Sequence, residues 1–123
     1  MSRDTTGRSE RPAEADAVAA ELAAAVARLA DRLRSLSDVR LARPLPPARS
    51  RADAAHALAQ RMADHAAALE GAPSRAVPRL HDLAVGDQVA VTGTDLVRAL
   101  GLPGAPGEPA EDRAARALDA LAA

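Results

Sequence analysis

Large apolar side chains recur at Val18, Leu22, Val26, Leu29, Leu33 and Leu36, and from Leu22 onward the steps run four, three, four, three. That is a heptad seam, and it predicts one long amphipathic helix. The seam lasts only about two heptads, short of an extended coiled coil. It therefore favours one helix of an antiparallel bundle, with the same stripe as the candidate partner surface. Pro12 is tolerated in a first helical turn, and Glu14 and Asp16 follow it near the positive end of the helix dipole. Ahead of it, residues 1–11 are polar and carry Gly7 and charges of both signs. They read as a disordered tail.

Residues 37–47 form the first break, with Pro44, Pro46 and Pro47 forbidding a continuous helix and favouring a stiff, extended linker. Leu41 and Leu45 are placed to tack that linker onto a core. A second helix is expected from Pro47 or Ser50, where Ser50 and Asp53 stand at capping-box spacing. Its apolar face is Ala55, Leu58, Met62, Ala66 and Leu69, and it stops at Gly71 and Pro73.

Residues 78–101 carry two patterns. As a helix they put Leu80, Leu83, Ala84, Val91 and Val97 near one side and Val85, Val89, Leu96 and Leu100 on a second stripe. As strands, residues 85–93 alternate, and the alternation resembles the Gly-Asp-x-Val edge of small SH3-like barrels. No other segment completes a sheet, and a lone hairpin is marginal. The helix is preferred, broken near Gly93, with Thr92 or Thr94 restarting a short piece that ends at Gly101. Residues 101–109 are a Pro/Gly loop, and a last helix is expected over 109–121, with Ala114, Leu118 and Leu121 on its buried side. The expectation is an all-α protein. It is a small, alanine-rich three- or four-helix bundle with a disordered N-terminal tail, residues 12–123 forming a single helical domain.

Composition sharpens this picture. Of the 123 residues, 34 are Ala, while 15 Leu, 8 Val and 2 Met are the side chains large enough to fill a core. Alanine is the best helix former but buries little area, so the core is thin and a homo-oligomer is expected to add burial. With no cysteine there is no disulfide, thiolate nucleophile or Cys-ligated metal. With no aromatic residue there is no base-stacking platform and no aromatic cage. The first residues lack the apolar run of a signal peptide, and no stretch approaches a membrane span. A cytoplasmic protein with no cofactor and no membrane partner is expected.

Candidate chemistry is sparse. A helical His, a later His-Asp pair and a further Asp resemble the HD metal phosphohydrolases, here as His56 or His65, then His81 and Asp82, then Asp119. That resemblance implies a metal and a phosphoester substrate, but the dipeptide is common by chance and the chain is short for such a pocket. His56 and His65 are nine residues apart, on opposite sides of one helix, and cannot share a metal from it. His65 falls on the stripe of Leu58, Met62 and Leu69 and reads as a core or boundary residue. No serine lies in a nucleophile elbow and no glycines form a phosphate loop.

Charge is unevenly spread. Residues 28–51 hold Arg28, Arg32, Arg34, Arg40, Arg43, Arg49 and Arg51 against two Asp. From Asp82 onward, seven acidic residues face three Arg. The alternative function is a nucleic-acid-associated accessory protein working through that basic stretch. The blander reading pairs the two regions with each other, and nucleic acid is not the expected partner. Residues 43–49 also hold Pro-x-x-Pro with Arg on both sides, which suits a polyproline ligand, though a stiff linker explains it as well. The sequence as a whole predicts no catalytic residue. It predicts a non-catalytic helical interaction or assembly module, whose partner is a protein or a second copy of itself.

Overall fold

The computed structural model describes residues 2–101, with side chains from residue 16 onward. Four helices appear in this range: α1 (Ser2–Arg34), α2 (Asp38–Leu41), α3 (Arg51–Glu70) and α4 (Val85–Leu100), the last preceded by a 3-10 turn over Asp82–Ala84. No strand forms among the described residues; Leu45 and Ala48 make one isolated bridge. The all-α expectation holds. Helical backbone begins at Ser2 and so covers the stretch assigned by composition to a tail. The expected last helix lies outside the described residues.

α4 is the central element, packed on α1 from one side and on α3 from the other. Its second stripe is the one that is buried, with Val85, Val89 and Leu96 fully enclosed and Leu100 nearly so. Leu80, Leu83 and Val91, from the competing stripe, are exposed. The helix is also unbroken at Gly93, against expectation. Gly86 and Gly93 face α1 where no Cβ fits: one at Gly86 would lie 3.2 Å from the Ala30 carbonyl oxygen, and one at Gly93 would collide with Val26. Close packing, rather than a break, accounts for these glycines. Gly86 opposite Ala30 and Arg34, with Gly93 opposite Val26, makes α4 antiparallel to α1. The remaining buried polar residue, Thr92, donates its hydroxyl to the Gln88 carbonyl at 2.8 Å, which satisfies it within its own helix.

α3 runs parallel to α4, which demands a connection as long as the helix. Its twenty residues rise about 30 Å. Residues 72–81 are not helical, and ten extended residues reach about 33 Å. Helix was expected from residue 78; the crossing takes up that stretch instead, so α4 starts at Val85. Four alanines of α3 (Ala52, Ala55, Ala59 and Ala66) are buried beside Met62. Small contact residues bring neighbouring helix axes close.

The ends of α3 follow the sequence signals. The Ser50 hydroxyl accepts from the Asp53 N–H at 3.0 Å, and Gly71 closes the helix at φ 68°. Ser50→Ala is expected to cost about 1 kcal/mol in urea unfolding. A loss near zero would mean that the cap contributes nothing. The linker before α3 is less extended than expected. α2 gives it one helical turn capped by Ser37, and Leu45 and Ala48 bridge a tight turn around Pro46 and Pro47. Leu41 is fully buried, while Leu45 is 46% exposed, so only the first of the two tacks the linker down.

Candidate partner surface

The predicted partner stripe of α1 is divided by the fold. Leu22, Val26 and Leu33 are buried in the core of this chain, while Val18, Leu29 and Leu36 stay half-buried. A heptad seam presents two edges: here α4 covers the inner one, and the outer one faces α3. Between α1 and α3 lies a groove of about 320 Å³. Leu29, Leu33 and Leu36 supply its α1 side, Leu58 and Ala54 its α3 side, and Leu45 joins them from the linker; Arg32 and Arg51 complete it. Sequence reasoning named the α1 wall and missed the α3 wall. The signal available was the second apolar stripe of α3, at Ala54, Leu58, His65 and Leu69, all half-buried. A smaller cavity, about 240 Å³, lies between α1 and α4 around Ala30, Ala90 and Thr94.

The opposite flank of α3 is closed by polar contacts. Asp53, His56, Gln60 and Asp64 share one face at helical spacing, and together they hold the extended crossing. Arg79 binds Asp53 at 2.8 Å, and His56 Nε2 meets the Val77 carbonyl at 2.8 Å. Gln60 works at both ends of its amide: Oε1 accepts from the Val77 N–H at 2.7 Å and Nε2 donates to the Arg75 carbonyl at 3.0 Å. Ser74 donates its hydroxyl to Asp64. Unpaired backbone groups of the extended crossing thus find side-chain partners, as buried or half-buried amides require. His56 is thus a half-buried strut between α3 and the crossing.

The Ser74 hydroxyl, with Gln60 adding to it, holds the Asp64 carboxyl below its ordinary range. The folded chain therefore favours the charged form more than the unfolded chain does. This contribution is present above the ordinary carboxylate pKa and is lost as pH falls through the lowered value. In a carbon-detected NMR titration, Ser74→Ala is expected to move the Asp64 midpoint back upward. An unchanged midpoint would show that the hydroxyl is not bound there.

The HD-like residues do not gather. His56 is engaged with Val77, His65 is half-buried on α3 more than two turns away from it, and His81 is exposed ahead of the 3-10 turn. Asp82 is bound by Arg79 at 2.9 Å. Among the described residues no three His, Cys, Asp or Glu side chains come together as a metal site. Asp119 lies outside them. Nor is any described helix long and apolar enough to cross a membrane.

The chain matches no protein-family model, no curated protein and no solved structure. The reading of function therefore stands on the residues themselves. Of the basic stretch, Arg34 is engaged, pairing with Asp87 at 2.8 Å and Asp31 at 3.4 Å. Within the described residues, Arg28, Arg32, Arg40, Arg43, Arg49 and Arg51 make no ion pair. Of these, Arg32 and Arg51 line the groove with Leu36 and Leu45. Among the described residues, one ion pair, Arg34–Asp87, joins the basic stretch to the acidic half.

Proposed function

We propose that this chain is a non-catalytic helical interaction and assembly module, and that it holds an amphipathic helix in the α1–α3 groove. The observation that carries the reading is the set of half-buried leucines, Leu29, Leu36 and Leu58, joined by the more exposed Leu45 across three separate elements. Single exposed leucines need no explanation, but a contiguous set that converges on one groove marks a contact surface. A thin, alanine-rich core gains most from burying it, at roughly 25 cal/mol per Å². Sedimentation velocity of the full chain is expected to show mass rising with concentration. The double variant Leu29→Glu/Leu58→Glu should stay monomeric with an unchanged far-ultraviolet circular dichroism spectrum. A full chain that remains a monomer up to millimolar concentration would reject self-assembly.

A second reading, contact with nucleic acid, is favoured by the six arginines that make no ion pair among the described residues. It predicts gel-shift binding that weakens steeply with added salt. No binding at low salt rejects it.

A further inference from the structure

We propose that the occupant of the α1–α3 groove is residues 109–121 of the same chain, docked in cis as a further long helix. The proposal rests on the reading of that groove as a helix-docking surface. It is carried by where the described chain ends, by the length of the segment beyond Gly101, and by charge.

Because α4 is antiparallel to α1 with Gly93 opposite Val26, α4 ends far from Leu36. Leu100 is seven residues beyond Gly93, about 10 Å further along the helix. Gly101 therefore stands at the level of Val18 and Leu22, at the opposite end from Leu36. Residues 102–123 lie outside the described residues. Their sequence supplies a Pro/Gly connector and then the apolar positions Ala114, Leu118 and Leu121 at helical spacing. The seven residues 102–108 span up to about 23 Å when extended, more than the 8–10 Å or so between packed helix axes. Thirteen helical residues rise about 20 Å, and the groove, lined from Leu29 to Leu36 and from Arg51 to Leu58, runs about 10 Å along the helices. A helix returning from Gly101 is thus long enough to reach and fill the groove, and it delivers Leu118 and Leu121 to the level of Leu29, Leu36 and Leu58.

Charge selects among occupants. Arg32 and Arg51 line the groove and make no ion pair among the described residues, and Arg28 lies one turn before Arg32. Docking the same groove of a second copy against it would set these arginines against their equals. Residues 108–123 instead carry Glu108, Glu111, Asp112 and Asp119 against Arg113 and Arg116. A connector of seven residues also gives an effective concentration in the millimolar range, so cis docking prevails in dilute solution. At high concentration the same helix exchanges between copies, a low-cost route to the association proposed above.

The absence of cysteine makes the test clean, because introduced thiols are the only ones present. The full chain carrying Ala54→Cys on the groove wall and Ala120→Cys is treated at micromolar concentration with a short bis-maleimide. The control carries Val91→Cys, on the exposed side of α4, with the same Ala120→Cys. Both variants are first shown to keep the circular dichroism spectrum of the parent chain. The expected result is an intramolecular link in the groove pair, about tenfold above the control, as a tethered contact requires. Equal linking in both pairs overturns the proposal. Linking mainly between chains overturns it too and makes a second copy the occupant. Sedimentation of the unmodified chain separates the two readings. An intramolecular link in a chain that never self-associates keeps the docked helix and rejects assembly, whereas association without that link does the reverse.

Discussion

Gly93→Val is expected to destabilise the protein by about 3 kcal/mol, read as a lowered midpoint of urea unfolding. A Cβ at this position would overlap Val26 Cγ1 and lie 2.8 Å from Cγ2 and 3.1 Å from Val26 Cβ. Both residues sit within long helices, so relief requires α1 and α4 to move apart along their length. Glycine inside a helix costs about 1 kcal/mol relative to alanine. Close approach at Gly93 must outweigh that cost for the residue to serve here. Gly93→Ala recovers the propensity but still meets Val26, and a net loss of about 1 kcal/mol is expected. Val26→Ala removes the obstacle. The double variant Val26→Ala/Gly93→Ala should therefore lose less than the sum of its parts, with a coupling of about 1 kcal/mol or more. Strictly additive losses, or a stabilised Gly93→Ala, would mean that α1 and α4 do not meet through this glycine.

The second large effect is expected at Leu41. Its side chain is fully buried, although it belongs to a helix of only four residues in a proline-bounded linker. Truncation to alanine leaves a cavity at the point where the linker is anchored, at a cost of about 3 kcal/mol. Leu45, four residues later and 46% exposed, is the internal contrast. Leu45→Ala should change stability by less than about 0.5 kcal/mol in dilute, monomeric protein. Comparable losses at the two positions would place both leucines in the core and remove Leu45 from the groove. This pair also bears on the polyproline idea. Leu41 anchors the linker, and the Leu45–Ala48 turn folds the prolines back, so the segment is not an extended strand offered to a partner.

Both results concern the way leucines and glycines divide between inside and outside, and there local pattern and three-dimensional packing part company. Heptad spacing identified α1 and the residues facing inward from it, because apolar periodicity is a property of one helix and needs no partner to be seen. Ser50 and Gly71 marked the ends of α3 for the same reason: a cap hydroxyl and a left-handed residue act within a few positions of chain. By contrast, Gly93 looked like a helix breaker, since its use is visible only when Val26 of another helix stands against it. The choice between the two stripes of α4 was equally closed to local reasoning, because both have helical spacing and only contact with α1 and α3 selects Val85, Val89, Leu96 and Leu100. The polar face of α3 at Asp53, His56, Gln60 and Asp64 likewise finds its partners only in the crossing segment laid over it.

The candidate surface divides along the same line. Its leucines on α1 could be read directly, as could the run of arginines beside them. Their pairing with Leu58 and Leu45 into one groove could not, because those residues are distant in the chain and meet only once α4 has set the spacing of its two neighbours. Composition and periodicity thus settle that the described part of this chain is helical and where α3 begins and ends. Which apolar edge is consumed inside the molecule and which remains for another helix depends on non-local contacts, since burial is a relation between surfaces and no single segment carries it alone.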